Sequence, residues 1–107
     1  MVLDISDVGV LDTLFPFHFF LSPDLQLVSK GKSLVKILPD GDCFDACFDV
    51  IRPGTGMEVH FDSIASYATQ IFILRLKCGK KGLVLKGQFI VCPNKHFLLF
   101  CGSPWIV

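Results

Sequence analysis

Three histidines and five cysteines are the side chains of this chain best suited to acid–base, nucleophilic or metal chemistry near neutral pH. They are His18, Cys43, Cys47, His60, Cys78, Cys92, His96 and Cys101. A zinc site usually places its ligands in close pairs such as Cys-x-x-Cys, whereas Cys43 and Cys47 are four residues apart. The spacing therefore predicts free thiols, no metal site and no cofactor.

The same side chains offer one candidate for catalysis, a Cys43 or Cys47 nucleophile with His60 as its base. Cysteines at helical spacing among phenylalanines are usually core residues, however. The chain also lacks paired carboxylates in a recognisable frame, and its single glutamate, Glu58, falls in a segment without a strand or helix pattern. We therefore expect this chain to be non-catalytic.

The composition indicates a surface rich in apolar groups, on a chain without net charge. Of 107 residues 51% are hydrophobic, the mean hydropathy is +0.58 and the formal net charge is zero. A neutral chain does not attract nucleic acid, and every apolar run is interrupted before the roughly 18 residues that a membrane helix needs. Because residues 1–7 lack a secretory signal pattern, we expect one cytoplasmic domain that binds neither nucleic acid nor membrane.

The strand-like segments are apolar on both faces. Successive side chains of a strand point to opposite faces, so a strand with one wet face alternates apolar and polar residues. Residues 15–21 and 96–107 do not alternate in this way. A chain of this length can cover one face of a sheet with its own helices, which leaves the second face to contact another polypeptide.

Hydrophobic spacing and turn residues predict the order of the elements. The predicted strands are 15–21, 25–29, 71–78, 83–92 and 96–103, and the predicted short helices are 33–38, 42–51 and 62–69. Residues 1–14 form a helix or an extended arm before a domain at 15–107. The order predicts an α+β fold, in which short helices pack on one face of a five-stranded antiparallel sheet, the outline of a PAS domain.

Five short motifs carry a family resemblance. They are Phe15-Pro16-Phe17-His18, Leu38-Pro39, Arg52-Pro53, Leu85-Lys86-Gly87-Gln88 and Phe100-Cys101-Gly102-Ser103-Pro104. In this order they resemble the PAS-like, H-NOX-associated (heme-NO-binding-associated) domain of soluble guanylate cyclases and of bacterial signal transduction histidine kinases. The short turn at 77–81 resembles the kinase branch more closely, because the cyclases carry a longer insertion there.

The resemblance implies a regulatory role. In this family the domain lies between a heme-based gas sensor and an output domain, and it pairs with a second copy through its N-terminal segment and the outer face of its sheet. No catalytic residue of the family maps onto this sequence. The resemblance thus implies a non-catalytic dimerisation and signal-transfer module. The expected parent is a histidine kinase, with a nucleotide cyclase as the less favoured parent.

The expected partner is a second copy of the chain, or a homologous PAS-like domain in a heterodimer, besides the neighbouring sensor and output domains. The candidate interface residues are Val8, Leu11, Leu14, Phe15, Phe17, Phe19, Phe89, Leu98 and Phe100. Because both strand faces are apolar, the sequence leaves open which face turns inward. Substitution of Phe17 by Asp is expected to weaken the association.

The alternative function is a PAS sensor that binds heme or another small molecule between its sheet and its helices. Gas-sensing PAS domains hold heme through a histidine on the helical side, and His60 is the candidate ligand here. His18 could ligate heme or respond to pH, but a packed histidine with one hydrogen bond is favoured. Abundant Phe, Leu and Ile on the inner faces favour a filled core over a ligand cavity.

Overall fold

Turn residues and prolines divide the chain into short elements. The computed structural model describes residues 8–38, 42–54, 57–78, 82–92 and 96–105. The elements are α1 (Val8–Leu14), β1 (Phe19–Leu21), β2 (Leu27–Lys30), α2 (Lys32–Ile37), α3 (Phe44–Cys47), β3 (Phe48–Arg52), α4 (Phe61–Ser66), β4 (Phe72–Leu76), β5 (Val84–Cys92) and β6 (Phe97–Pro104). Within these ranges, none of the helices has the length and apolar character needed to cross a bilayer.

The strands form one antiparallel sheet in the order β2-β1-β6-β5-β4-β3. Strand β6 lies between β1 and β5, so it joins the N-terminal hairpin to the C-terminal strands. The prediction of an α+β fold with an antiparallel sheet and short helices is confirmed. The sheet has six strands where five were predicted.

The additional strand is β3, in a segment where the sequence predicts a helix through residue 51. Helix α3 ends at Cys47, and the following residues pair with β4, with Phe48 opposite Leu76. The helix prediction is wrong beyond Cys47 because Phe48 and Val50 also fit the alternation of a strand. Pairing with β4 supplies the backbone hydrogen bonds that extend the sheet.

The helices α2, α3 and α4 pack on one face of the sheet, here called the inner face. Six phenylalanines meet there: Phe19, Phe44, Phe48, Phe72, Phe89 and Phe100. Phe19 stacks on Phe48 and Phe100 with ring centroids 5.5 and 5.1 Å apart. Phe72 contacts Phe89 edge to face at 4.8 Å. Aromatic contacts of this kind add to the free energy gained by burial, so they hold the sheet against the helices.

Helix α1 lies on the opposite face, here called the outer face. Its Leu11 is buried against Leu99 of β6 and Cys92 of β5, with Phe20 at the margin of the contact. The helix ends where Pro16 follows, since the residue before a proline disfavours the helical conformation. Of the two forms predicted for the N-terminal segment, the helix is therefore the one observed at residues 8–14.

Candidate interaction surface

Polar side chains identify the residues of the outer face. In β5, Lys86 and Gln88 alternate with the buried Leu85 and Phe89, and Lys86 lies opposite Ser103 of β6. Because the inner positions are filled by apolar side chains, these polar residues point away from the core. The other strand residues at these alternate positions, and the residues paired with them in neighbouring strands, therefore lie on the same outer face.

Large apolar side chains share the outer face with these polar residues. They are Phe20, Ile71, Ile73, Ile90, Cys92, Leu99 and Cys101. Leu99 is fully buried, whereas Ile90, directly opposite it, is 43% exposed and Ile71 is 46% exposed. The difference arises from α1, because Leu11 covers Leu99 and leaves Ile71 and Ile90 open to solvent.

An open groove crosses the uncovered part of the outer face. Its volume is about 440 Å³, and its lining residues are Phe15, Ile71, Lys86, Gly87, Gln88, Ile90 and Cys101. Most of this lining is apolar, with Lys86 and Gln88 as its polar members. Such a surface can receive apolar side chains that protrude from another protein.

The charged groups near the groove have partners within the chain. Arg75 Nη2 lies 3.3 Å from Asp49 Oδ2, and Lys77 Nζ lies 3.8 Å from Asp49 Oδ1. Lys86 Nζ lies 5.1 Å from the ring centroid of Trp105. Exposed contacts of this kind contribute at most about 1 kcal/mol each. The apolar residues therefore dominate what this face can bind.

The thiol of Cys101 lies at the boundary between the covered and the open parts of the face. Burial raises its pKa from 9.0 to about 11, and the neighbouring Cys92 adds to the rise. Because desolvation disfavours the thiolate, Cys101 is a neutral, largely apolar side chain at neutral pH. Among the described residues, no three or more histidines, cysteines or carboxylates are arranged to hold a metal ion.

Hydrogen bonds connect α1 to the helical side of the sheet. Asp12 Oδ1 accepts a hydrogen bond of 3.1 Å from the backbone N–H of Lys32, at the start of α2. The buried His18 donates from Nδ1 to the carbonyl of Phe15 at 2.8 Å, and its Nε2 has no partner among the described residues. His18 is thus the packed histidine with one hydrogen bond that the sequence favours.

Four of the predicted interface residues lie in the core instead of on the surface. Phe19, Phe89, Leu98 and Phe100 are buried on the inner face, beneath the helices. Their side chains have no access to a partner, because strand alternation turns them inward. As a correction, Ile90, which belongs to the other alternation, is a strand residue that reaches the surface of the outer face.

The remaining predicted interface residues lie in or next to α1. Leu14 is exposed and Phe15 lines the groove. Leu11 faces the sheet of its own chain, and Phe17 packs partly against the inner core. The placement of the Val8 side chain lies outside the described residues. Leu14 and Phe15 are therefore the predicted residues that reach the surface.

Sequence reasoning missed Ile71, Ile90 and Cys101, which line the groove. The sequence contained a signal for Ile90, because Lys86, Gln88 and Ile90 occupy successive alternate positions of one strand. Polar residues at alternate strand positions mark the solvent-facing side, and an apolar residue in the same series shares that side.

His60, the candidate heme ligand, caps the start of α4 at the surface. Its Nδ1 accepts a hydrogen bond of 3.3 Å from the Ser63 N–H, and the Ser63 hydroxyl accepts one of 3.2 Å from the His60 N–H. Its Nε2 lies 3.5 Å from Glu58 Oε2, and more than half of the side chain is exposed. Iron binding through His60 would require it to give up one of these contacts.

Most of the chain is similar to known proteins. Residues 5–82 match the protein family described as "Heme NO binding associated". The chain is 31% identical over 105 residues to the head-specific guanylate cyclase of Drosophila melanogaster, an alignment that covers 87% of this chain and 15% of that protein.

Guanylate cyclase subunits of mammals are similar over the same extent. The identity is 28% over 103 residues with the guanylate cyclase soluble subunit alpha-2 of Rattus norvegicus, which covers 86% of this chain and 14% of that protein. The identity is 27% over 104 residues with the guanylate cyclase soluble subunit alpha-1 of Bos taurus, and this alignment covers 86% of this chain and 15% of that protein. The chain thus spans about 15% of the length of the curated relatives it matches.

Proposed function

The chain belongs to the heme NO binding associated family, as its motifs indicate, and from this premise we propose that it is a non-catalytic module that pairs with a second PAS-like domain and transfers a signal within a larger protein. The signal would pass as a change in the relative orientation of the two domains, since packed interfaces transmit rigid-body shifts. The observation that carries the proposal is the open apolar groove on the outer face.

The exposed apolar residues of the outer face support pairing with another protein. Ile71 and Ile90 lie in the open beside Lys86 and Gln88, and apolar surface bordered by polar residues is typical of protein–protein contact sites. The formal net charge of zero means that two copies do not repel each other through their overall charge. Pairing through this face would remove the apolar side chains from water.

The connection between the groove and the helices supports signal transfer. Phe15 lines the groove, and its neighbour Pro16 accepts hydrogen bonds from the backbone N–H groups of Ser33 and Leu34 in α2, at 3.0 and 3.2 Å. A partner that moves Phe15 therefore acts on a segment bonded directly to α2. This continuity gives the outer face a short physical route to the helical side of the sheet.

The packing of the inner face favours this function over a heme or small-molecule sensor. The six phenylalanines contact one another in the space between the sheet and the helices. A closely packed core of this kind leaves the sheet and the helices in direct contact. The ligand-binding alternative also draws no support from His60, whose ring caps α4.

We infer that the parent protein is similar to a guanylate cyclase. The relatives are named guanylate cyclases, and the matched region is a small part of their length, as expected for one module among several. The short turn that favours a histidine kinase includes residues 79–81, which lie outside the described residues. The names of these relatives do not support a histidine kinase as the parent protein. In a cyclase-like parent, a heme-based sensor and a catalytic output domain would be the neighbours of this module.

The partner of the module is either a second copy of this chain or a homologous domain of another chain. Several relatives are named as subunits, which supports pairing between different chains. The same names include the word soluble, which supports the cytoplasmic location that we propose.

Sedimentation equilibrium of the purified chain at micromolar concentration tests the pairing. We expect a dimer whose dissociation constant rises at least about tenfold in Ile90→Asp, because a carboxylate buried against an apolar partner costs more than the roughly 1.4 kcal/mol that this factor represents. Ile71→Asp should act in the same direction. A wild-type chain that remains monomeric at about 100 μM would contradict pairing between copies.

The matched control is Val35→Asp on α2. Val35 is 43% exposed, as Ile90 is, but it belongs to a helix that packs on the inner face. We expect its dissociation constant to stay within about twofold of the wild-type value. An equal loss of dimer affinity in Val35→Asp would place the contact on the helical side of the sheet and would contradict the proposed interface. Phe17→Asp is less suitable, because Phe17 packs against the inner core and its loss would disturb the protomer itself.

A further inference from the structure

Three of the five cysteines lie together where α3 meets the end of β4. Cys43 is the N-cap residue of α3, Cys47 is its last residue, and Cys78 follows β4 by two residues. The Lys77 N–H donates to the Cys47 carbonyl at 2.8 Å, so the two chain segments run side by side here. Cys47 is buried, Cys43 and Cys78 are partly exposed, and all three are free thiols.

The environment of Cys47 shows that the three thiols are neighbours. Its pKa is raised from 9.0 to about 11, first by burial and then by a hydrogen bond with the Cys78 thiol and by the charges of Cys78 and Cys43. The Lys30 ammonium opposes this rise, and it also donates to the Leu38 carbonyl at 2.7 Å. Cys78 is therefore the thiol that most affects the ionisation of Cys47.

The side chains of Cys47 and Cys78 face the same core. Cys47 is a buried member of the inner core, and the Cys78 side chain packs partly against that core. The hydrogen bond from the Lys77 N–H reaches the Cys47 carbonyl, so Cys78 is one residue beyond the position bonded to Cys47. A disulfide between the two thiols, which needs a Cα separation of about 4.4–6.8 Å, would therefore join adjacent segments on one side of the sheet.

We propose that Cys47 and Cys78 are a redox-sensitive pair that forms a reversible intramolecular disulfide by exchange with a low-molecular-weight disulfide such as oxidised glutathione. The bond would join the start of β3, an edge strand, to the residues that follow β4. It would therefore fasten the edge of the sheet and fix α3 against it.

The exchange proceeds in two steps that conserve atoms and electrons. The thiolate of Cys78, the more accessible of the pair, attacks one sulfur of oxidised glutathione, breaks its S–S bond and releases one glutathione thiolate, which takes up a proton. The thiolate of Cys47 then attacks the Cys78 sulfur of the mixed disulfide and releases the second glutathione. The two protein thiols lose two electrons and two protons, and oxidised glutathione becomes two molecules of glutathione.

Thiol counting and peptide mapping in glutathione buffers test this proposal on the purified chain. With oxidised glutathione in excess at pH 8, we expect the number of alkylatable thiols to fall from five to three in a chain that remains free of intermolecular disulfides. Digestion before aspartate separates Cys43 from Cys47 at Asp45, and additional digestion after lysine separates Cys78 from Cys92 and Cys101. The linked peptides should contain Cys47 and Cys78. Reduced glutathione should restore all five thiols.

Matched variants distinguish this pair from the other cysteines. Cys78→Ser, at a partly exposed position, should abolish the loss of two thiols, as should Cys47→Ser, whereas Cys43→Ser and Cys92→Ser should retain it. Five reactive thiols at every ratio of oxidised to reduced glutathione would overturn the proposal. So would a bond between other cysteines, or a chain that accumulates only glutathione-capped Cys78.

Discussion

The Cys47 thiol links the packing of a single residue to the pH dependence of stability. Its folded pKa of about 11, against an ordinary value of 9.0, means that folding favours the neutral thiol. The corresponding stability is fully present below pH 9 and is lost as the pH rises toward 11, because the unfolded chain then ionises more readily. For this buried group the loss is about 2 to 3 kcal/mol.

Denaturant unfolding between pH 8 and 11 checks this expectation. Cys47→Ala should lower stability at pH 8 by removing core volume, and it should flatten the fall in the free energy of unfolding above pH 9. Val50→Ala is the control, since it removes apolar volume from the same core but no ionisable group. A Cys47→Ala profile as steep as that of Val50→Ala would show that Cys47 does not titrate as its burial implies.

At the scale of elements, α1 is the helix that divides the outer face into a covered part and an open part. Leu11 is 6% exposed and packs against Leu99, whereas Leu14, on the same helix, is 52% exposed. We expect Leu11→Ala to lower the free energy of unfolding by about 2 kcal/mol, because it removes a buried side chain and leaves a cavity.

The matched substitution Leu14→Ala should change the stability of the monomer by less than about 0.5 kcal/mol. Urea unfolding, at protein concentrations below the dissociation constant of the dimer, measures the stability of the monomer in both variants. The hydrogen exchange rate of the α1 amides should rise in Leu11→Ala alone. Equal effects of the two substitutions would mean that α1 does not dock through Leu11.

At the scale of the whole molecule, the balance of charge predicts how pairing responds to salt. The formal net charge is zero, and the charged residues near the groove, such as Arg75 and Asp49, are paired within one protomer. Association should therefore depend mainly on apolar burial, which salt does not screen. We expect the dissociation constant to change less than about threefold between low salt and about 0.5 M salt in sedimentation experiments. A tenfold weakening would mean that ion pairs across the interface drive the association.

Most of the architecture could be predicted from local patterns. The strands at 72–76, 84–92 and 97–104 fall within or beside the predicted segments, because runs of apolar and β-branched residues mark the strands and turn residues mark their ends. Strand β3 could not be predicted in this way, since its residues fit both a helical and a strand spacing until β4 pairs with them. The family was also readable from short motifs, and the match over residues 5–82 confirms it.

The sequence by itself determined the class of the fold, the excess of apolar surface and the absence of a recognisable catalytic motif, because composition, spacing and local turn chemistry depend only on neighbours along the chain. Only the tertiary structure decided which apolar residues are core and which are surface. Phe89 and Ile90 are adjacent and both apolar, yet the register with β6 and the coverage by α1 turn one inward and leave the other in solvent. That assignment depends on contacts between segments distant in sequence, which local patterns do not contain.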